Sequence, residues 1–273
     1  MGKIFEYVGL ISLMCFSFII TEKTTIIAKN IDEIMINIKE NYKKYEIKPV
    51  DAMIDNQNII PGSCGKTIDI DKSYFEMKKI GIYDDKLYQY NFEYPKVNLK
   101  NNYDKYIING SSEKNYIYIF INLNENNKKI LKEYNFTNYN FIVSKSFYLN
   151  NINLINEIIK KNNSILINNS NYKDYKIISK RYKNIANKNI FCYNESSDLD
   201  FLETCSSNKS NTIAKINNYS TNYLYILKIY LKRGIFYNFE LNKELINSLK
   251  SIDSYLTQKG IEKSNIDNSL REC

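Results

Sequence analysis

Histidine and tryptophan are both absent from this sequence of 273 residues. Without histidine, no imidazole is present to bind a metal ion or to act as a general acid or base. The five cysteines, Cys15, Cys64, Cys192, Cys205 and Cys273, contain no CxxC pair that could replace it. We therefore expect no structural zinc site, because neither of the usual ligand patterns for that ion is present.

Glycine and proline are also scarce, with 8 and 3 residues, while asparagine, lysine, isoleucine and tyrosine are abundant. This bias is typical of an AT-rich genome, so the net charge of +8 is weak evidence about partners. Arginine-rich and glycine-rich motifs are missing, and the lysines are scattered among acidic residues. We expect no nucleic-acid partner, and the hydrophobic content of 44% is sufficient for a globular core.

The first 22 residues have the pattern of a signal peptide or a membrane anchor. Lys3 precedes an apolar run over residues 8–20, and polar residues follow it. No small-x-small cleavage site is present, which favours an uncleaved anchor, and Met14 before Cys15 argues against lipidation. The predicted location is therefore outside the cytoplasm, either membrane-anchored or at the cell surface. A buried first helix is the alternative.

Residues 23–109 are expected to form an N-terminal helix and a small extension. Apolar residues at helical spacing predict a helix over residues 26–45, and a second, short helix is predicted over 73–79. Pro61 and Gly62 indicate a turn. The sequence Gly65-Lys66-Thr67 ends like a phosphate-binding loop, but Gly62 and Gly65 are too close together for the four-residue gap of that motif.

Beyond residue 110, apolar runs alternate with segments of helical periodicity. Such alternation predicts a parallel sheet with helical crossovers, because parallel neighbours need a long connection. The predicted strands are residues 116–123, 140–143, 164–167, 189–193, 211–216 and 234–241. The predicted helices are residues 127–134, 151–161, 175–186, 199–205, 223–232 and 243–259.

The segment NLINEIIKKNNSILINNS resembles the helix and metal-binding loop of the polysaccharide deacetylase family, whose conserved unit is the NodB homology domain. The resemblance implies an α/β fold, a distorted (β/α) barrel of the NodB type, with its site at the C-terminal ends of the strands. It places this domain at residues 110–262, followed by a C-terminal tail at 263–273. The extension resembles that of envelope-anchored deacetylase-like proteins from AT-rich Bacillota.

The resemblance also assigns the family's chemical positions to residues of this chain. The two aspartates that end the family's first strand correspond to Asn122 and Leu123. The two metal-binding histidines correspond to Asn168 and Tyr172, or to Asn169 and Lys173 if the alignment shifts by one residue. None of these side chains is a good zinc ligand or a useful base near neutral pH.

Two further strand ends complete the expected cleft. The family's Arg-Pro-Pro-Tyr strand end corresponds to residues 191–196, which include Tyr193, and the final catalytic histidine corresponds to Glu240. No catalytic residue is predicted, and Asn122 and Glu240 are the vestigial catalytic positions. The family uses a divalent metal such as zinc, but we expect no cofactor here.

Three functions remain open from the sequence. The first is a non-catalytic deacetylase-like protein that binds an envelope polysaccharide, peptidoglycan or a protein partner. The second is an active carbohydrate hydrolase whose carboxylate site is rebuilt from Glu125, Asp174, Glu195 or Glu240. The third is a purely structural envelope protein. Cys192 and Cys205 either form a disulfide or remain as buried thiols.

Overall fold

A computed structural model describes residues 2–169, 171–270 and 272 of the chain, with side chains described from residue 10 onward. The chain divides into two compact units. The first unit contains the residues up to Lys48 together with Gly65–Glu93, and the second contains Pro49–Cys64 and the chain from Tyr94 onward.

Ten helices and thirteen strands are numbered here in chain order over the described residues. The helices are α1 (Gly2–Asn30), α2 (Glu33–Asn41), α3 (Ile70–Ile80), α4 (Lys145–Asn150), α5 (Ile152–Lys160), α6 (Tyr172–Ala186), α7 (Leu199–Ser207), α8 (Tyr223–Tyr230), α9 (Lys243–Gln258) and α10 (Ile266–Ser269). The strands are β1 (Met53–Asp55), β2 (Asn58–Ile60), β3 (Gly65–Ile68), β4 (Tyr90–Glu93), β5 (Tyr106–Ile107), β6 (Tyr116–Leu123), β7 (Asn140–Ser144), β8 (Ser164–Asn168), β9 (Phe191–Asn194), β10 (Thr212–Ala214), β11 (Asn218–Tyr219), β12 (Phe236–Glu240) and β13 (Glu262–Lys263).

The first unit contains α1, α2, α3 and the two-stranded antiparallel sheet of β3 and β4, with α3 in the connection between these strands. Its core is a small cluster to which α2, β3 and α3 contribute Ile38, Ile68 and Met77. Gly81 ends α3 with a φ of 81°, a left-handed conformation that glycine adopts without a steric penalty. The unit is therefore a helical module with one two-stranded sheet.

The single helix predicted over residues 26–45 is wrong, since the structure has a break in it. Asp32 adopts an extended backbone, and its carboxylate accepts a hydrogen bond from the N–H of Ile34 at 3.0 Å. An aspartate in this position is a favourable N-cap, so α2 begins anew at Glu33. The short helix predicted over 73–79 is present and longer, from Ile70 to Ile80.

The second unit is built on a parallel sheet, which confirms the predicted α/β class. The strands pair in the order β1-β2-β5-β10-β9-β8-β7-β6-β12-β11, and only the β1–β2 pair on this path is antiparallel. Strand β13 pairs with the first residues of β6. The path of paired strands ends at β1 and β11, and the described residues of these two strands do not pair with each other, so the barrel is distorted and not closed by hydrogen bonds there.

Two hydrophobic clusters lie on opposite faces of this sheet. Along β6, Ile119 and Ile121 pack with the surrounding helices, whereas Tyr118 and Phe120 join the second cluster. The second cluster receives side chains from β2, β5, β7, β8, β9, β10 and β12 as well. Because so many strands contribute to this one cluster, it fills the interior of the barrel.

The main sheet and the barrel interior include residues on both sides of the range 110–262. Strands β1, β2 and β5, which lie within the predicted extension at 23–109, belong to the main sheet. The predicted tail at 263–273 contains Ile266 and Leu270, whose side chains are buried in the barrel interior. These strands have only two or three residues each, too few for the periodicity on which the sequence prediction depends.

Smaller differences concern helices near the barrel strands. The helix predicted over 127–134 is a 3-10 helix at Lys128–Glu133. Helix α4 was not predicted; it begins after Ser144, whose hydroxyl accepts a hydrogen bond from the N–H of Phe147 at 3.2 Å. Each of the other predicted helices of this unit lies within three residues of its observed bounds.

Candidate functional site

Six side chains at the C-terminal ends of the barrel strands form what we call the strand-end cleft. In register, Glu240 lies beside Asn122, and Ser144, Asn168 and Tyr193 lie side by side on β7, β8 and β9. Residues paired in register point to the same face of a sheet. The members of the cleft are Asn122, Ser144, Asn168, Tyr193, Asn238 and Glu240.

Asn122 and Asn238 contact each other within the cleft. The Asn122 Nδ2 donates a hydrogen bond to the Asn238 Oδ1 at 3.3 Å. Asn238 is buried and lies on the same face as Phe236, which packs inside the barrel. The sequence interpretation missed Asn238, although strict alternation along β12 predicts that it shares a face with Glu240.

The side-chain amide of Asn168 has a hydrogen-bond partner at its nitrogen but none at its oxygen among the described residues. Its Nδ2 donates a hydrogen bond to the Glu195 Oε2 at 3.0 Å. Its Oδ1 is buried, and no donor among the described residues reaches it. A buried acceptor without a donor is energetically unfavourable, so turning this oxygen outward to an N–H or O–H group of a ligand would be favourable.

Asn169, the position used by the shifted alignment, lies just beyond the strand. Its backbone has a φ of 26°, and its Nδ2 donates a hydrogen bond to the Ser196 Oγ at 2.8 Å. Asn168 and Asn169 thus donate to Glu195 and Ser196, which are adjacent residues in the loop after β9. Their neutral amides connect the end of β8 to that loop.

Tyr193 is the buried aromatic residue of the cleft. Burial raises the pKa of its phenol, and the nearby Glu195 carboxylate raises it further, so the hydroxyl is protonated at neutral pH. The hydroxyl oxygen accepts a hydrogen bond from the N–H of Ile216 at 3.3 Å. Tyr193 therefore presents a neutral group that both donates and accepts hydrogen bonds.

Two of the residues predicted for the cleft lie elsewhere. Leu123 packs in the outer hydrophobic cluster, because alternation along β6 turns it away from Asn122. Tyr172 is about half exposed at the first turn of α6 and lines a separate hollow with Asp198 and Phe201. The structure thus assembles Asn122, Asn168, Tyr193 and Glu240, and it separates Leu123 and Tyr172 from them.

The carboxylates considered for a rebuilt hydrolytic site have separate partners. Glu125 forms an ion pair with Lys128, and its Oε1 accepts a hydrogen bond from Asn151 at 2.6 Å. Asp174 forms an ion pair with Lys145, which lowers the pKa of that carboxyl. Glu195 accepts a hydrogen bond from Asn168, while Glu240 is exposed at the end of β12.

The family resemblance implies a divalent metal ion in the cleft, and the side chains there decide whether one fits. In the described part of the chain, no group of three or more histidine, cysteine, aspartate or glutamate side chains is arranged to hold a metal ion. The polar groups of the cleft are amides, a hydroxyl, a phenol and the carboxylate of Glu240, a set without the imidazoles or thiolates that bind zinc tightly. The residues present do not fit a zinc ion.

Cys192 and Cys205 are joined by a disulfide bond. The bond connects β9, which carries Tyr193 into the cleft, to α7 on the outer face of the sheet. Both residues are fully buried. The strand that carries the cleft's aromatic residue is therefore fixed covalently to a helix.

Comparison with known proteins gives matches among solved structures. The wild-type form of a CE4 family pseudoenzyme from Bacillus anthracis superposes with a TM-score of 0.63 at 19% identity, over 88% of this chain and 96% of that chain. The fold is that of carbohydrate esterase family 4. A mutant of the same pseudoenzyme, described as having restored enzymatic activity, gives a TM-score of 0.62 at 18% identity, over 88% and 99% of the two chains.

No family model matches the sequence, and no curated protein matches it. At this level of identity, the structural similarity establishes the fold alone. It confirms the resemblance to the polysaccharide deacetylase fold that the sequence motifs indicated. Within a CE4 fold, the strand-end cleft occupies the end of the barrel where (β/α) barrels carry their functional residues.

Proposed function

We propose that the chain is a non-catalytic CE4-type protein that binds a glycan of the cell envelope through the strand-end cleft. The observation that carries this proposal is the chemistry of the cleft. Asn122, Asn168 and Asn238 supply amides and Tyr193 supplies a neutral phenol, and the carboxylate beside Asn122, Glu240, has no imidazole with which to hold a metal ion.

These groups suit the recognition of a neutral sugar. Hydroxyl and acetamido groups of a glycan donate and accept hydrogen bonds without carrying charge, as amides and phenols do. The unpaired Oδ1 of Asn168 is an acceptor for such a hydroxyl or N–H group. The ring of Tyr193 is buried, so its contribution is the hydroxyl rather than a stacking surface.

The comparison with the pseudoenzyme supports the proposal, because it shows that a CE4 fold can occur without enzymatic activity. The Bacillus anthracis protein is described as a CE4 family pseudoenzyme in its wild-type form, and as active again in a mutant. In that protein, activity depends on the residues placed on the fold. By analogy, we compare the amide-lined cleft of this chain with the wild-type, inactive form of that protein.

The proposal includes export and anchoring by α1. Residues Leu10–Asn30 of this helix have a mean hydropathy of 1.6, and this stretch of 21 residues meets the length and composition expected of a membrane span. At a rise of about 1.5 Å per residue it is about 30 Å long, close to the thickness of a bilayer core. A secretory signal has the same properties, so the test includes the length of the mature chain.

The experiment uses the full chain purified in detergent or nanodiscs. Bound metal and acetate release are measured with zinc, cobalt or nickel supplied and with N-acetylglucosamine oligomers or peptidoglycan as substrate. Binding of the same oligomers is measured by calorimetry. The mass of the membrane-extracted protein shows whether the N-terminal segment is retained.

We expect binding without acetate release. Asn168→Ala should weaken oligomer binding several-fold, because it removes both the unpaired acceptor and the donor to Glu195. The matched control is Tyr172→Ala, which changes an exposed residue outside the cleft and should leave binding unchanged. Metal-dependent acetate release would instead establish an active hydrolase, and a folded chain that binds no glycan would favour a protein partner or a structural role.

A further inference from the structure

The first unit carries a line of exposed side chains on α3 that begins beside the end of α1. Lys29, in the last turn of α1, forms an ion pair with Asp71 at 2.5 Å. Its Nζ also lies 5.2 Å from the ring centroid of Tyr74. These contacts place the first turn of α3 at the C-terminal end of α1.

From Asp71, the line continues along α3 at helical spacing. Phe75 and Lys79 follow at intervals of four residues and therefore lie on the same side of the helix. The Lys79 Nζ lies 4.3 Å from the ring centroid of Phe75. Ile80 and Ile82 extend the apolar surface at the end of the helix. We call Phe75, Lys79, Ile80 and Ile82 the α3 stripe.

The α3 stripe is unusually exposed for apolar side chains. Phe75, Ile80 and Ile82 are 61%, 60% and 57% exposed, whereas Met77 on the opposite side of α3 is fully buried. The buried side of α3 already supplies the small core of the first unit, so the exposed side is not needed for folding. A group of large apolar side chains in water usually marks a contact surface.

We propose that the α3 stripe lies in the interfacial region of the lipid bilayer that α1 enters. This inference rests on the proposed anchoring by α1, whose candidate span ends at Asn30, directly after the residue paired with Asp71. A side chain one helical turn from that pair is then within reach of the headgroup layer. Aromatic and aliphatic side chains flanked by lysine are favoured in this layer, where rings bury and cations reach phosphate.

The charged side chains of α3 are compatible with a position at the lipid interface. Lys72, Lys78 and Lys79 lie on the helix with Asp71 and Glu76, and Lys29 already pairs with Asp71. Lys72, Lys78 and Lys79 form ion pairs with Asp69, Asp32 and Glu76, respectively, so the fixed charge is nearly balanced. Attraction therefore comes mainly from burial of Phe75 and the isoleucines rather than from net charge. The partner of the stripe is the lipid interface itself, with anionic headgroups not required.

The absence of tryptophan allows a direct test, because one introduced tryptophan is the only such fluorophore in the chain. Phe75→Trp and Phe16→Trp are each made in the full chain and reconstituted in nanodiscs of phosphatidylcholine. Tyr172→Trp, on the second unit, serves as the reference for an exposed site. Emission maxima are measured together with quenching by lipids labelled near the headgroup, by lipids labelled deep in the chains and by aqueous acrylamide.

We expect the Phe75→Trp emission to move to shorter wavelength in nanodiscs than in detergent-free denaturant, with strongest quenching by the shallow lipid label. Phe16→Trp should be quenched most by the deep label, which tests the anchor separately. If Phe16→Trp is quenched by lipid and Phe75→Trp responds to acrylamide alone, the stripe is not at the interface and the anchor stands. If neither is quenched by lipid, the anchor and the stripe are both refuted.

Discussion

Glu272 accepts a hydrogen bond from the backbone N–H of Leu99 at 2.9 Å, although 173 residues separate the two in sequence. Its other carboxylate oxygen accepts from the N–H of Gly62 at 3.1 Å. The side chain is buried, and burial raises the pKa of this carboxyl despite both hydrogen bonds and the nearby Lys114. One carboxylate near the C-terminus therefore holds two loops of the second unit.

The raised pKa gives a prediction for the pH dependence of stability. A carboxyl whose pKa is higher in the folded than in the unfolded chain binds more protons when folded, so its contribution is greatest below the unfolded value of 4.5. That contribution declines as pH rises through the folded pKa. The free energy of unfolding of wild type minus that of Glu272→Gln should therefore fall with rising pH, measured by urea denaturation from acidic to neutral pH. A difference that rises with pH would contradict the assignment.

Loss of the Cys192–Cys205 bond should destabilise the second unit. The bond closes a loop with a sequence separation of 13, and loops of this size contribute about 3 kcal/mol when they restrict the unfolded chain. The double variant Cys192→Ala, Cys205→Ala should lose about 2–4 kcal/mol of unfolding free energy relative to the oxidised wild type. Cys15→Ala, an exposed thiol in α1, is the control and should change stability by less than about 0.5 kcal/mol. Equal stability of wild type and double variant would count against the bond.

Tyr193→Phe should weaken both the fold and ligand binding. The variant leaves the Ile216 N–H without its acceptor, and loss of a partly buried hydrogen bond typically costs about 1 kcal/mol. Tyr172→Phe removes a hydroxyl outside the cleft and is the matched control. We expect a lower unfolding free energy and weaker N-acetylglucosamine oligomer binding for Tyr193→Phe alone. Identical effects in both variants would refute a specific role for the cleft phenol.

Asn122→Asp should not create a deacetylase. It restores one carboxylate, but Asn168 remains an amide, Leu123 remains in the outer core, and histidine is absent from the chain. The new carboxylate would also face the Asn238 Oδ1 unless that amide turns over, so we expect a modest loss of stability. Zinc-dependent acetate assays on the folded variant check this result. Release above the wild-type level would show that the cleft needs only one substitution to bind metal.

The sequence predicted the long elements of the fold well and the short ones poorly. Strand β6, with eight residues of apolar character, has the bounds that were predicted for it. Strands β1, β2 and β5 have two or three residues each, and only their pairing across the sheet defines them. Their place in the barrel comes from tertiary contacts rather than from local propensity.

The candidate site was predictable where it lies on strands. The family resemblance assigned Asn122, Asn168, Tyr193 and Glu240, which all lie at strand ends, and two-residue alternation along the strands would have excluded Leu123 and added Asn238. Tyr172 lies beyond the strand, and its placement depends on the start of α6, where the Asn171 side chain accepts from the N–H of Asp174. A loop of this kind leaves no periodic signal in the sequence.

The buried carboxylate of Glu272 also bears on how the chain is assembled. It binds Gly62 and Leu99, and Ala52 bonds to Val97 nearby, so the segments that flank residues 65–93 in the second unit are held close together. When the chain exits a domain and re-enters it at adjacent positions, the inserted segment between them can be replaced without disturbing the domain. Residues 65–93 are thus inserted between two adjacent positions of the second unit. A short artificial linker in their place would leave the strands of that unit and their register intact.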